Sequence, residues 1–283
     1  MTASASPSLI DAPLVPGRLA IRLVDSASAV IAAEASDPLK FLVSTPRGRC
    51  AWVFTTTYGG GLVAGDRVAM DIDVAAGASL YLGTQASTKV YRSDGALAQQ
   101  TVSATVAADS LLVSLPDPVT PFAEARFDQR QIIDCAPTAD VVWLDGVTCG
   151  RAARDERWAF TSYVSSLTMR VDGCTVMRDA VRLTAGQRPV RERLPEVGAL
   201  ATLVIGGPGM KALCAKILAH VAAQPLESQP RLSASALGTS RLGTWGVLLR
   251  AATVERETWE RTVRELLADL CPRLGDDPWQ RRP

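Results

Sequence analysis

Histidine is almost missing from this chain: among 283 residues His220 is the single imidazole. Imidazole is the commonest general base and metal ligand near neutral pH. Chemistry here must therefore rest on carboxylates or thiols. Neither sign of charge is in excess, with 30 Lys and Arg against 29 Asp and Glu and a formal net charge of +1. That balance removes the electrostatic basis for binding nucleic acid or an anionic membrane surface. The cysteines (Cys50, Cys135, Cys149, Cys174, Cys214 and Cys271) include no C-x-x-C pair, which argues against structural zinc and for free, buried thiols in a reducing compartment. Long apolar runs are also missing, and stretches such as Leu200 to Ile205 are far too short to cross a bilayer as a helix. The opening residues lack the basic and apolar regions of a secretory signal, with no Lys or Arg before Arg18. Residues 1–16 are expected to be a disordered tail on a cytoplasmic protein. No Gly-x-Ser-x-Gly elbow occurs, and His220 would have to serve any Ser, His and acid set alone, which disfavours a hydrolase.

What is present is strand. With 47% hydrophobic residues the chain can bury a large core. From about Arg18 to Thr184 it reads as short alternating or β-branched runs broken by Gly, Pro, Asp and Ser. In Arg67 to Val74, Val68, Met70, Ile72 and Val74 share one face and Asp71 and Asp73 the other. Similar runs recur at Ser79 to Leu82, Thr101 to Val106, Gln131 to Ile133, Val141 to Leu144, and Thr175 to Leu183. After Pro208 the character changes. Gly209 to Ala223 is rich in helix formers, and in Glu255 to Leu270 the residues Trp259, Val263, Leu266, Leu267 and Leu270 recur at helical spacing, with Cys271-Pro272 expected to end the helix. Gly243 to Arg250 between them reads as another strand. No linker cuts the chain, so residues 17–283 are expected to form a single domain, β-rich over 17–206 with two helices in 207–283. The expected fold is mainly β, layered or solenoid-like (β-helical), although no fixed-period repeat stands out.

Four local features invite a functional reading. Gly59, Gly60, Gly61 and Gly65 place four glycines within seven residues, which demands a special turn. A phosphate cradle would need such a turn to open a helix, yet Asp66 and a strand follow, so a glycine-rich corner is favoured. Leu82 to Ser93 is a polar bend delivering Lys89 and Arg92, read simply as a hairpin with solvated basic ends. Leu115 to Phe122 holds three prolines and reads as a stiff extended loop. Trp143 to Arg151 sets Asp145 and Cys149 near each other, with Asp155 and Glu156 following; a metal could pass between such groups, though buried thiols and solvated acids are the commoner outcome. His220 reads as a packed or capping side chain on the first helix.

Taken in order, these segments resemble the UreD/UreH family of urease accessory proteins. Gly59 to Asp66 matches its GGGLV-x-GD turn, Thr84 to Arg92 its TQ-x-x-TK segment, and Trp143 to Arg151 its Leu-Asp strand ending in Gly150 and Arg151. Leu115 to Phe122 and Gln129 are similar to the eukaryotic-like branch, and the likeness runs from about Gly17 to the final helix. One departure is Asp37, where an aromatic residue is common. The resemblance implies a non-catalytic scaffold with no tightly bound cofactor, which binds apo-urease, a UreF-like protein and a UreG-like GTPase, with dimeric assembly of the complex as an option. It further implies that nickel passes transiently through an internal polar passage, for which Asp66, Asp145, Glu156 and, more weakly, Asp179 are the metal candidates, with Lys89 beside them. Two other readings stay open: a phosphate-ligand-binding enzyme using the Gly59 to Asp66 turn with Lys89 and Arg92 as clamps, and a metal-independent β-solenoid interaction module.

Overall fold

The structure, a computed structural model, describes residues 15–45, 48–186, 188–225 and 227–280. The expected disordered tail therefore lies almost wholly outside the described residues. Two antiparallel pairs open the chain: β1 (Gly17–Val24) with β2 (Ala27–Glu34), and β3 (Leu39–Val43) with β4 (Ala51–Thr57). There follow β5 (Arg67–Val74), β6 (Ser79–Thr84), β7 (Lys89–Val90), β8 (Ala98–Val106), β9 (Leu111–Ser114), β10 (Thr120–Pro121), β11 (Arg126–Cys135) and β12 (Asp140–Thr148). The short β13 (Gly150–Arg151) and β14 (Glu156–Arg157) precede the hairpin of β15 (Ser162–Val171) and β16 (Cys174–Thr184). After a single turn, α1 (Val190–Arg193), come β17 (Ala199–Gly206), α2 (Lys211–Ala223), β18 (Arg231–Thr239), β19 (Gly243–Thr253), α3 (Arg256–Leu267) and the short α4 (Cys271–Leu274).

From β4 to β15 the chain winds as a solenoid. At each long strand it crosses from one sheet to the other, so that β5, β8, β11 and β15 pair in parallel in a seven-stranded sheet while β4, β6, β9 and β12 pair in parallel in an eight-stranded one. β1 extends the parallel row of the first sheet by pairing with β5, and antiparallel strands close the ends, β2 and β16 in the first sheet and β3, β17, β19 and β18 in the second. A narrow third side carries single rungs: Leu62 bridges Val90, and β7 pairs in parallel with β10. This corrects the hairpin expected over Leu82 to Ser93. The chain keeps turning in the same sense there, and the backbone of Lys89 to Tyr91 is satisfied by neighbouring coils: Leu62 donates to the Lys89 carbonyl at 2.8 Å and Phe122 to that of Val90 at 2.9 Å.

Burial follows from what covers each sheet. The seven-stranded sheet has one face in solvent, and its strands alternate; Val68, Met70, Ile72 and Val74 of β5 are all buried. The eight-stranded sheet is covered on both faces, so β9 is buried throughout and β17 nearly so. Its outer cover is helical. Leu213, Cys214 and Ile217 of α2, with Trp259, Val263, Leu266 and Leu267 of α3, pack against Val113, Val142, Leu203, Ile205, Val247 and Leu249. Between the sheets lies a second core that includes Ile21, Val53, Leu80, Leu112, Phe127, Ile133 and Met169. Pro272 does not terminate the helical region as expected. A proline is tolerated in a first turn, where no N–H is required, and here it starts α4. Of the six free cysteines, Cys174 and Cys271 are only half-buried.

Candidate functional site

Alternation along β11 should place only apolar residues in the core, yet its inward row reads Phe127, Gln129, Gln131, Ile133 and Cys135, all buried. The parallel register sets Gln100 of β8, Gln129 of β11 and Ser165 of β15 side by side on the seven-stranded sheet. Opposite them, on the eight-stranded sheet, Asp145 of β12 is in register with Thr202 of β17, and Thr202 with Arg250 of β19. The two sheets thus meet across one polar layer inside the solenoid. A buried polar group is tolerated only when its hydrogen bonds are met, and here they are met by one another.

Asp145 is the centre of that layer. Its Oδ1 accepts from Gln129 Nε2 at 3.0 Å and its Oδ2 from Ser165 Oγ at 2.6 Å. Gln129 Oε1 accepts from Gln100 Nε2 at 3.2 Å. Gln131 donates to Ser165 Oγ at 3.3 Å and accepts from Trp143 Nε1 at 2.7 Å. Both carboxylate oxygens are therefore held by neutral donors. Enclosure in the protein raises the Asp145 pKa above the ordinary carboxylate range; the bonds from Ser165, Gln129 and Gln131 pull it partly back, and the charge of Asp179 adds a smaller push upward. The nearby Tyr163 phenol is raised too, first by burial and then by the charge of Asp145.

The remaining exposure of Asp145 is toward a cavity of about 500 Å³, lined also by Tyr163, Asp179, Thr202, Arg231 and Arg250. Asp179, reaching in from β16, accepts from Thr202 Oγ1 at 3.2 Å and pairs with Arg250. Its side chain is 11% exposed against 47% for Arg250, so the guanidinium faces the mouth and the carboxylate the interior. Two of the sequence candidates, Asp145 and Asp179, thus line one cavity.

The other candidates lie on different parts of the molecule. Asp66 Oδ2 accepts from the Val63 amide at 2.8 Å, locking the turn in which Gly59, Gly60 and Gly65 take φ of +72°, +71° and +86°. Gly61 is extended but tight, since a Cβ there would stand 2.7 Å from the Lys89 carbonyl. The turn leads into β5, not a helix, and a carboxylate occupies it where a phosphate cradle would offer free amides. Lys89 and Arg92 are exposed, with Arg92 3.7 Å from Glu124. Glu156 is clasped by Arg151, whose Nε donates to Oε2 at 2.8 Å, and accepts from the Ala123 amide at 3.3 Å. The Arg151 hydrogen bond, foremost, holds the Glu156 carboxyl below its usual range. Gly150, at φ +99°, lies where a Cβ would meet the Glu156 and Pro121 carbonyls at 2.7 Å. Cys149 packs in the core, and burial pushes its thiol up. His220 sits in the last turn of α2, 3.2 Å from Gln224.

Sequence reasoning missed Gln100, Gln131, Ser165, Thr202 and Arg250. The available signal was two glutamines in the otherwise apolar inward row of β11. Among the described residues no three His, Cys, Asp or Glu side chains converge closely enough to cage a metal ion, and no helix is long and apolar enough to cross a membrane.

Comparison with known proteins accounts for nearly the whole chain. The family described as UreD urease accessory protein matches residues 16–282. The chain belongs to the UreD family of urease accessory proteins. A urease accessory protein UreD of Anaeromyxobacter is 46% identical over 268 residues, covering 94% of this chain and 89% of that protein. Family members from plants and fungi are also similar. Urease accessory protein D of indica rice is 30% identical over 97% of this chain and 98% of its own length. Urease accessory protein 4 of Cryptococcus neoformans is 30% identical over 87% of this chain and 88% of its own.

Proposed function

We propose that this chain is a non-catalytic scaffold of urease maturation in the cytoplasm, which binds apo-urease together with UreF-like and UreG-like partners and lets nickel pass, as cargo, through the polar layer between its sheets. The observation that carries this reading is Asp145: a carboxylate enclosed in the core, held only by neutral hydrogen-bond donors, at the inner side of a cavity whose other carboxylate is Asp179. A carboxylate enclosed in this way, whose hydrogen bonds among the described residues come from neutral donors, is costly to keep ionised. A passing divalent cation would offset that cost, and carboxylate and amide oxygens bind nickel weakly enough to release it, as imidazole or thiolate cages do not. Asp66 and Glu156 remain candidates for the approach to this layer, although both carboxylates are engaged within the narrow third side.

The test is urease activity and nickel content in cells that express the cognate urease and the other accessory proteins with wild-type chain, Asp145→Ala, Asp179→Ala, or no chain. Activation should require the chain. It should fall about tenfold or more in Asp145→Ala, with the variant still recovered in the urease complex. Full nickel loading by Asp145→Ala would remove the passage and leave a metal-independent interaction module as the better account. Full activity without the chain would remove the maturation role altogether.

A further inference from the structure

The charges of the chain balance overall but not on every face. The seven-stranded sheet turns one face to solvent, and on β11, β15 and β16 the residues directed there alternate with buried ones. These outward rows carry Arg126, Arg130, Arg170, Arg178 and Arg182 against two acids, Asp128 and Asp134. Asp134 is taken up by Arg170 at 3.4 Å. Among the described residues none of the other four arginines is ion-paired, and Arg130, Arg178 and Arg182 are exposed. The register groups these three. Ser166 of β15 lies between Arg130 of β11 and Ala180 of β16, and Arg178 and Arg182 flank Ala180 two positions away on either side. With strands about 4.8 Å apart and a rise of about 3.3 Å per residue, the three backbone positions span roughly 10 by 13 Å. The residues between them are small: Ala180, and Ser166, whose hydroxyl donates to the Gln129 carbonyl at 3.3 Å. Arg182 also contributes to the lining of the cavity that holds Asp145 and Asp179, so the patch borders that cavity from outside.

We propose that this face docks an acidic segment of a protein partner, which presents several carboxylates to Arg130, Arg178 and Arg182. Guanidinium and carboxylate match in charge and in fork geometry. Each exposed pair contributes little by itself, but three in one plane set orientation and association rate, with a marked dependence on salt. Other anionic partners fit less well. Single-stranded nucleic acid is held by stacking bases on aromatic rings, and no ring occurs in these outward rows. A flat sheet does not enter the major groove of a duplex as a helix or a two-stranded ribbon does. A membrane surface calls for apolar anchors among the basic residues, whereas Ser166, Thr168 and Ala180 fill the space between them here. The docking rests on these arginines alone and holds whether or not nickel passes through the cavity beside them.

The full chain is titrated at about 50 mM salt with a blocked, fluorophore-labelled Gly-Glu-Ser-Glu-Ser-Glu-Ser-Glu-Gly peptide, and binding is followed by anisotropy. Two comparisons accompany it: the same peptide with glutamine in place of glutamate, and a thymidine pentanucleotide whose phosphodiesters match the glutamates in number. Saturable binding of the glutamate peptide is expected, with the other two weaker by about tenfold or more. The triple variant Arg130→Gln, Arg178→Gln, Arg182→Gln should weaken the glutamate peptide by a similar factor. Arg67→Gln, an exposed arginine on β5 of the same sheet, should leave binding within about twofold. Thermal melting checks that each variant folds. The double variant Arg130→Gln, Arg178→Gln, which leaves the cavity lining untouched, decides if the triple variant does not fold. No saturable binding, undiminished binding in the folded variants, or an equal loss in Arg67→Gln would each overturn the proposal. So would a pentanucleotide bound as tightly through the same arginines, which would give the face to nucleic acid.

Discussion

Asp145 shows how far one residue's state depends on its surroundings. The folded protein makes this carboxyl harder to ionise than it is in the unfolded chain, chiefly through burial. The folded state therefore holds the proton to higher pH. Its stability cost is absent below the ordinary carboxylate range and grows as pH rises through the raised folded value. Asp145→Asn abolishes that titration. Thermal unfolding of wild type and Asp145→Asn, compared between about pH 7 and about pH 5, should show the wild type gaining on the variant as the pH falls. A difference that stays constant, or runs the other way, would mean the carboxylate is not penalised by its enclosure. Gln129 and Ser165, which hold Asp145, could not be chosen as a pair from the sequence: they are 36 positions apart, and only the parallel register of β11 and β15 makes them neighbours.

Among the elements, the helical cover of the eight-stranded sheet is held by apolar packing and by polar ties, of which Asp140 makes two. Asp140, at the first position of β12, accepts from the Gly209 amide at 2.8 Å and from Arg273 Nη2 at 2.6 Å. It thereby ties the start of the α2 region and the short α4 to one sheet end. The Asp140 side chain is 9% exposed, and removing it leaves Arg273 and a backbone donor without this acceptor. Asp140→Ala is expected to lower stability by about 2–3 kcal/mol, measured by urea unfolding. A loss of only a few tenths would mean that the apolar faces of α2 and α3 dock the helices unaided. Those faces were legible beforehand: the helical spacing of Trp259, Val263, Leu266 and Leu267 named the buried side of α3. The acid that anchors them was not, because it lies in a different part of the chain.

At the scale of the whole molecule, the two sheets differ in cover and should differ in protection. Strands β9, β12 and β17 lie inside the eight-stranded sheet with packing on both faces, whereas β2 and β18 are edge strands with many exposed residues. Amide exchange followed by mass spectrometry should be slowest over residues 141–144 and 203–205 and fastest, among strands, over 27–34 and 231–239. Equal protection of β2 and β12 would indicate that another chain pairs with that edge. The same architecture explains why the rung at β7 reads from the sequence as a hairpin arm and the rung at β10 as part of an extended loop. Two-residue strands carry no periodicity of their own, and their partners are supplied by the next coil of the solenoid.

The sequence by itself determined the class of this protein: alternation of apolar residues set the one-sided strands, continuous apolar runs set the strands covered on both faces, helical spacing set the C-terminal cover, and the ordered glycine, Thr-Lys and Leu-Asp segments carried the resemblance to the UreD family. Two acids, Asp145 and Asp179, were also picked out. Only the tertiary structure decided that these two share a cavity, that Asp66 and Glu156 are tied into the third side, and that glutamines and a serine from other strands hold Asp145. The physical reason is the parallel winding. Residues in one layer of a solenoid are separated in sequence by whole coils, so the local pattern can say which way a side chain points but not which side chains it meets.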